Sequence, residues 1–221
     1  SKVKTDVVIT DGQNLNDDYT NIADWSNRFK WNLANVHDPS VVLADDGYYY
    51  MYQTDASYGN AHVGEGQARG HFYCRRSKDL VNWEFMGPTM HGVPTWMKAK
   101  LNEIRKAMGL GASTTDFRNQ NQFGYWAPCV RRISKDLYRM YYVVTLPGTI
   151  NGAGTWSERC FIGLMETKNP ADIDSWVDKG FVVTNYSDLE LNYKVSATDY
   201  AHCYFKYNAI DPSLIINEKG E

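Results

Sequence analysis

Long apolar runs are missing from this 221-residue sequence: no stretch of about 18 consecutive hydrophobic residues is available to cross a bilayer, and no charged-then-apolar leader precedes Ser1. A soluble, already processed chain is the expectation. Cysteine is sparse, and Cys74, Cys129, Cys160 and Cys203 show no CxxC spacing. That speaks against a structural zinc site and leaves buried thiols or a single bridge open. Charge is not concentrated in either sign. The 23 basic and 26 acidic side chains leave a formal charge of −3 without long runs, so no basic stripe exists to release counterions from a phosphate backbone. Nucleic acid is not an expected partner.

Aromatic residues are plentiful by contrast. They make up 14 % of the chain, and 16 of them are tyrosines, each with an apolar face and a polar tip. Such side chains suit a sugar-binding surface, and they equally suit β-strands through ordinary strand preference.

An internal repeat organises the chain. The segments His37-Asp38-Pro39-Ser40-Val41-Val42-Leu43, Trp126-Ala127-Pro128-Cys129-Val130-Arg131-Arg132 and Ile210-Asp211-Pro212-Ser213-Leu214-Ile215-Ile216 align, with prolines 128 − 39 = 89 and 212 − 128 = 84 residues apart. Each is expected to open a short strand, where a proline is tolerated because it need not donate to the ladder. Asp45-Asp46-Gly47 then turns into a return strand at Tyr48 to Tyr52, and Ser134-Lys135-Asp136 turns into one at Tyr138 to Val144. Third strands are expected around His71 to Arg75 and around Arg159 to Leu164, and fourth elements at the Asp/Trp-bearing stretches Asp79 to Phe85 and Asp172 to Val177. Four strands per unit make a propeller blade. Three unrelated proline turns in an all-β sandwich are the competing reading.

One insertion breaks the β pattern. Met97, Leu101, Ile104 and Met108 recur at helical spacing between Pro94 and Leu110, with Pro94 suited to the start and Gly109 and Gly111 to the end. The helix either covers blade edges or forms a lid, and Ser113 to Gln122 reads as a polar loop. In the third unit, Pro212 to Gly220 has the same length as Pro39 to Gly47, so Glu221 falls where Tyr48 begins a return strand. Residues 1–221 are therefore expected to be the N-terminal part of a single propeller domain, about two and a half blades, with the remaining blades elsewhere.

Inner-strand starts converge on one end of a propeller channel, so Asp38 and Asp211 are expected to enter one cavity, with Ala127 at the matching place between them. A pair of carboxyl groups in differing environments fits glycosidic bond hydrolysis, in which one accepts a proton from water and another donates one to the leaving oxygen. A lone Asp-Pro can instead be a turn that caps local N–H groups.

Asn35-Val36-His37-Asp38-Pro39-Ser40, Tyr125-Trp126-Ala127-Pro128 and Asn208-Ala209-Ile210-Asp211-Pro212-Ser213 resemble, in this order, the signatures of glycoside hydrolase family 43, in particular its endo-α-1,5-L-arabinanases. The resemblance runs from about residue 35 to the end. It implies an all-β five-bladed β-propeller and an inverting mechanism, with Asp38 as general base and Asp211 as modulator of the acid's pKa and orienter of substrate. The general acid of the family is a glutamate of a later blade that no residue here matches. Glu221 aligns with the outer turn, Glu158 and Glu166 flank a third strand, and the chain alone is expected to be inactive. His37, Trp126 and Asn208 lie beside inner-strand starts as substrate-contact candidates. Cys129 departs from the acidic residue usual at its position, and nothing in the sequence makes it a nucleophile.

The resemblance further implies arabinan, a plant cell-wall polysaccharide, as the partner and a secreted or periplasmic location. No cofactor is required for the chemistry. No metal site is assignable within these residues, although such enzymes often hold a channel cation such as calcium through a last-blade histidine. An exo-acting arabinofuranosidase or β-xylosidase of the same family is the nearest rival. A non-catalytic carbohydrate-binding propeller is the rival of another class.

Overall fold

The computed structural model describes residues 36–55, 70–146, 158–184 and 209–221. They are all-β apart from one helix and two 3₁₀ turns. Strands β1 (His37–Leu43), β2 (Tyr49–Thr54), β3 (His71–Ser77) and β4 (Glu84–Met90) form one antiparallel sheet in chain order, and β5 (Gly124–Ser134), β6 (Leu137–Thr145), β7 (Cys160–Thr167) and β8 (Val177–Thr184) form a second. The two sheets share a register. Ser40 faces Tyr52 and Val41 faces Met51 in the first, while Cys129 faces Tyr141 and Val130 faces Met140 in the second, each pair displaced by 89 residues (129 − 40 and 141 − 52).

Backbone conformation repeats with the same period. The residues before the three prolines, Asp38, Ala127 and Asp211, all have left-handed φ, at +47°, +38° and +54°. The turn residues Gly47, Asp136 and Gly220 do so as well, at +77°, +59° and +79°, and their spacings of 136 − 47 = 89 and 220 − 136 = 84 are those of the prolines. The first and third turns also close identically. Ala44 N–H donates to Tyr48 O at 2.9 Å and Gly47 N–H to Ala44 O at 3.0 Å, matched by Asn217 to Glu221 at 3.0 Å and Gly220 to Asn217 at 2.9 Å.

Two sequence expectations need correction. Segment 209–221 keeps the turn of the repeat, yet it forms no strand, because among the described residues no return strand pairs with it. The fourth strands also begin later than the Asp/Trp stretches. Asp79 accepts from the N–H groups of Val81 at 2.9 Å and Asn82 at 2.7 Å, and Asp172 accepts from Asp174 N–H at 3.0 Å. These aspartates close side-chain-to-backbone turns that compete with a ladder, so pairing resumes only at Glu84 and Val177.

The core lies between the sheets. Tyr50, Tyr52, Phe72 and Cys74 of the first meet Val130, Tyr138, Met140, Tyr142, Val144 and Phe161 of the second. Tyr50, Tyr52, Tyr73, Tyr125, Tyr138 and Tyr142 are among the largest fully buried side chains, so much of the tyrosine-rich composition serves core packing rather than a sugar surface. Helix α1 (Met97–Ala107) lies within the span marked by its apolar spacing. It ends in a Schellman motif: Gly109 N–H donates to Lys106 O at 3.0 Å and Leu110 N–H to Arg105 O at 2.8 Å, with Gly109 at φ +73°. Met97 and Leu101 are fully buried, and Trp96 packs edge-on against Phe161 and Phe181, so α1 covers the β7–β8 side of the second sheet.

Candidate active site

The three proline-anchored segments meet at one cavity of about 360 Å³. Asp38 to Val41 come from β1, Ala127 to Cys129 and Arg131 from β5, and Asp211 with Pro212 from the third segment. The structure thus brings the two repeat-matched carboxylates to a single solvent-open wall, although one of them sits on a segment that is not a strand.

The left-handed backbone explains how they reach it. A residue before proline ordinarily adopts extended backbone, so positive φ at Asp38, Ala127 and Asp211 turns the chain sharply just as the strand begins. Aspartate tolerates this conformation. For Ala127 it costs about 1–2 kcal/mol, a local strain held by its surroundings.

Hydrogen bonds then tie each segment to the next. Ser40 Oγ accepts from Val130 N–H at 2.9 Å, and Cys129 Sγ accepts from Leu214 N–H at 3.4 Å. Ser40 and Cys129 both follow their proline, and Val130 and Leu214 both stand two places after theirs, so one latch is used twice. Cys129, which departs from the family pattern in sequence, is the sulfur version of Ser40. A second tie runs through Thr54 at the end of β2: its Oγ donates to Asp38 Oδ2 and accepts from Ala127 N–H, both at 2.7 Å.

His37 is exposed beside Asp38 and is not part of the cavity wall. Trp126 is half-buried against Val143, Cys160 and Ile162 on the far face of the second sheet, also outside the wall. Asn208 lies outside the described residues, as does Cys203. Glu158 is paired with Arg105 at 2.6 Å, Glu166 accepts from Arg139 Nε at 2.8 Å, and Glu221 accepts from Asn217 Nδ2 at 3.0 Å. Among the described residues, no glutamate lines the cavity. No group of three or more His, Cys, Asp or Glu side chains among them could hold a metal ion. Burial pushes the Cys74 and Cys160 thiols up to about 12, which makes both inert.

A buried polar cluster that no sequence motif marks begins at Asp55, the residue after Thr54. His71, fully buried, places Nδ1 2.6 Å from Asp55 Oδ2 and Nε2 3.2 Å from Gln120 Oε1, and stacks on Tyr125. Asp55 also accepts from Phe72 N–H at 3.1 Å, and burial raises its pKa against the opposing pull of His71. The Asp55 N–H donates to Tyr125 O at 3.0 Å, locking the end of β2 to the start of β5. The signal available in sequence is a histidine followed by two aromatic residues, Phe72 and Tyr73, which by itself does not name its acid partner.

The sequence profile of "Glycosyl hydrolases family 43" matches residues 33–221. A "Probable arabinan endo-1,5-alpha-L-arabinosidase A" of Aspergillus flavus is 26 % identical over 186 residues, which is 83 % of this chain and 39 % of that protein. An "Extracellular endo-alpha-(1->5)-L-arabinanase" of Thermotoga petrophila is 26 % identical over 132 residues, 60 % of this chain and 22 % of that protein. Among solved structures, an exo-1,5-alpha-L-arabinanase from a bovine ruminal metagenomic library is 27 % identical at a TM-score of 0.47, covering 84 % of this chain and 44 % of the other. The chain spans less than half the length of each of these relatives. With the profile matched across most of its length, the chain belongs to glycosyl hydrolases family 43.

Proposed function

We propose that these residues supply the base side of an inverting glycoside hydrolase that cleaves the α-1,5-L-arabinofuranosyl linkages of arabinan. The supporting observation is the convergence of Asp38 and Asp211 on one cavity from matching positions of the repeat. In this reading the two sheets and the third segment are the first part of a five-bladed propeller, and later blades bring the general acid, a glutamate, to the same cavity. A channel cation such as calcium, if the complete domain holds one, rests on those later blades. The likeness to arabinan-cleaving relatives supports the substrate. A polymeric substrate and the extracellular Thermotoga relative support action outside the cytoplasm.

The chemistry then runs in one displacement. Asp38 accepts a hydrogen bond from water placed on the face of the sugar opposite the leaving oxygen. As the water oxygen bonds to the anomeric carbon, Asp38 takes its proton, and the glycosidic bond breaks with a proton given to the leaving oxygen by the general acid. An inverting base and acid stand roughly 6.5–9.5 Å apart to leave room for that water. Asp211 orients the sugar and sets the charge felt by the acid. His37, Trp126 and Asn208 stay in this proposal as contacts further along the substrate.

The test is the configuration of the first product. Proton NMR of linear α-1,5-arabinan incubated with the complete protein should show β-configured reducing ends appearing before mutarotation equilibrates them. First products of α configuration, or no hydrolysis, would overturn the proposal. Mixed oligomers would mark endo cleavage, and single sugars alone exo cleavage.

A further inference from the structure

We infer that Thr54 is the positioning residue of Asp38, fixing its carboxylate through a hydroxyl whose own hydrogen-bond direction is set by the neighbouring strand. This rests on the proposed role of Asp38 as base. A hydroxyl carries one hydrogen. Ala127 N–H occupies a lone pair of Thr54 Oγ at 2.7 Å, and the remaining short contact, 2.7 Å to Asp38 Oδ2, can only take the hydrogen. Amide, hydroxyl and carboxylate therefore form a one-way chain in which each bond polarises the next. Thr54 cannot rotate away easily: it is β-branched and buried, its backbone pairs with His37, and the following residue is locked by Asp55 N–H to Tyr125 O and by the Asp55–His71 contact.

The repeat supplies an internal control. Val143 occupies the place of Thr54 in the second sheet, since it pairs with Trp126 as Thr54 pairs with His37, and both offsets are 89 (143 − 54 and 126 − 37). In that unit the residue before the proline is Ala127. The first unit has both the hydroxyl and the carboxylate, and the second has neither, with a methyl of Val143 where the hydroxyl would be. A threonine serving only to zip β2 to β5 has no reason to follow the acid.

The experiment compares Thr54→Val and Thr54→Ser in the complete protein on linear α-1,5-arabinan, each also in an Asp38→Ala background. Thr54→Val should lower kcat by about ten- to a hundred-fold with KM nearly unchanged, as expected when a catalytic group is misplaced by a fraction of an ångström. Thr54→Ser should restore most of it, and Thr54→Val should add no loss once Asp38 is gone. Wild-type kcat in Thr54→Val, or the same fractional loss in the Asp38→Ala background, overturns the inference. Absence of arabinan hydrolysis by the wild type sinks the proposed function instead. In that case crystal structures decide the positioning role: the Asp38 carboxyl should leave its place in Thr54→Val and keep it in Thr54→Ser, and an unmoved carboxyl in Thr54→Val contradicts it.

Discussion

Cys129 shows how far a residue type can mislead when its partner is unseen. In sequence it is a missing acid. In the structure its sulfur accepts the N–H of Leu214, doing for the second and third segments what Ser40 does for the first and second. A thiol is a weak acceptor and a hydroxyl a stronger one. Cys129→Ser should therefore hold the third segment at least as well as the native residue, while Cys129→Ala should lose about 1 kcal/mol of unfolding free energy in urea. Equal losses in both variants would mean that the sulfur contributes by volume alone. Thr54 was illegible for a related reason. A threonine at the end of a strand is explained sufficiently by its β-branching, and its hydroxyl acquires meaning only beside Asp38 and Ala127, 16 and 73 residues away.

At the level of strands, turns and helix, legibility followed the range of the forces involved. Helix α1 was visible because its apolar spacing and the Gly109 ending are local. The turns at Asp45 to Gly47 and Ser134 to Asp136 were visible for the same reason. The start of β4 was misplaced because Asp79 draws the backbone N–H groups of Val81 and Asn82 into a turn, a contest between side chain and ladder that composition does not decide. Segment 209–221 lacks strand structure because a strand exists only with its partner. A further tie joins the outer turns. Asp45 Oδ1 accepts from Arg132 Nε at 2.9 Å, and Asp45 N–H donates to Tyr138 Oη at 2.9 Å. The Arg132 guanidinium leads the interactions that hold the Asp45 carboxyl below its ordinary value of 3.8. A depressed acid stabilises the fold above its unfolded value and loses that contribution as pH falls through the folded one. Thermal melts of wild type and Asp45→Asn should therefore differ at neutral pH, and the difference should shrink as the pH falls below about 4, the ordinary carboxylate value. A difference that persists undiminished in acid would assign the effect to shape rather than charge.

For the molecule as a whole, the repeat is the property that the sequence disclosed best, because prolines 89 and 84 residues apart survive even where side chains diverge. The structure adds a backbone counterpart, with two left-handed residues per unit at the same spacings. It also redirects the tyrosines, many of which fill the core between the sheets rather than a sugar-binding wall. What the repeat accomplishes is to deliver the residue before each proline to one cavity, acidic in the first and third units and plain alanine in the second. If that convergence exists for hydrolysis, the first carboxylate must matter to the chemical step and not to folding. The most direct measurement is kcat of Asp38→Asn in the complete protein on linear α-1,5-arabinan, alongside its affinity for arabino-oligosaccharides. A fall of about 10²–10⁴-fold in kcat with affinity and melting temperature retained is the predicted result. A wild-type kcat in Asp38→Asn would contradict the account.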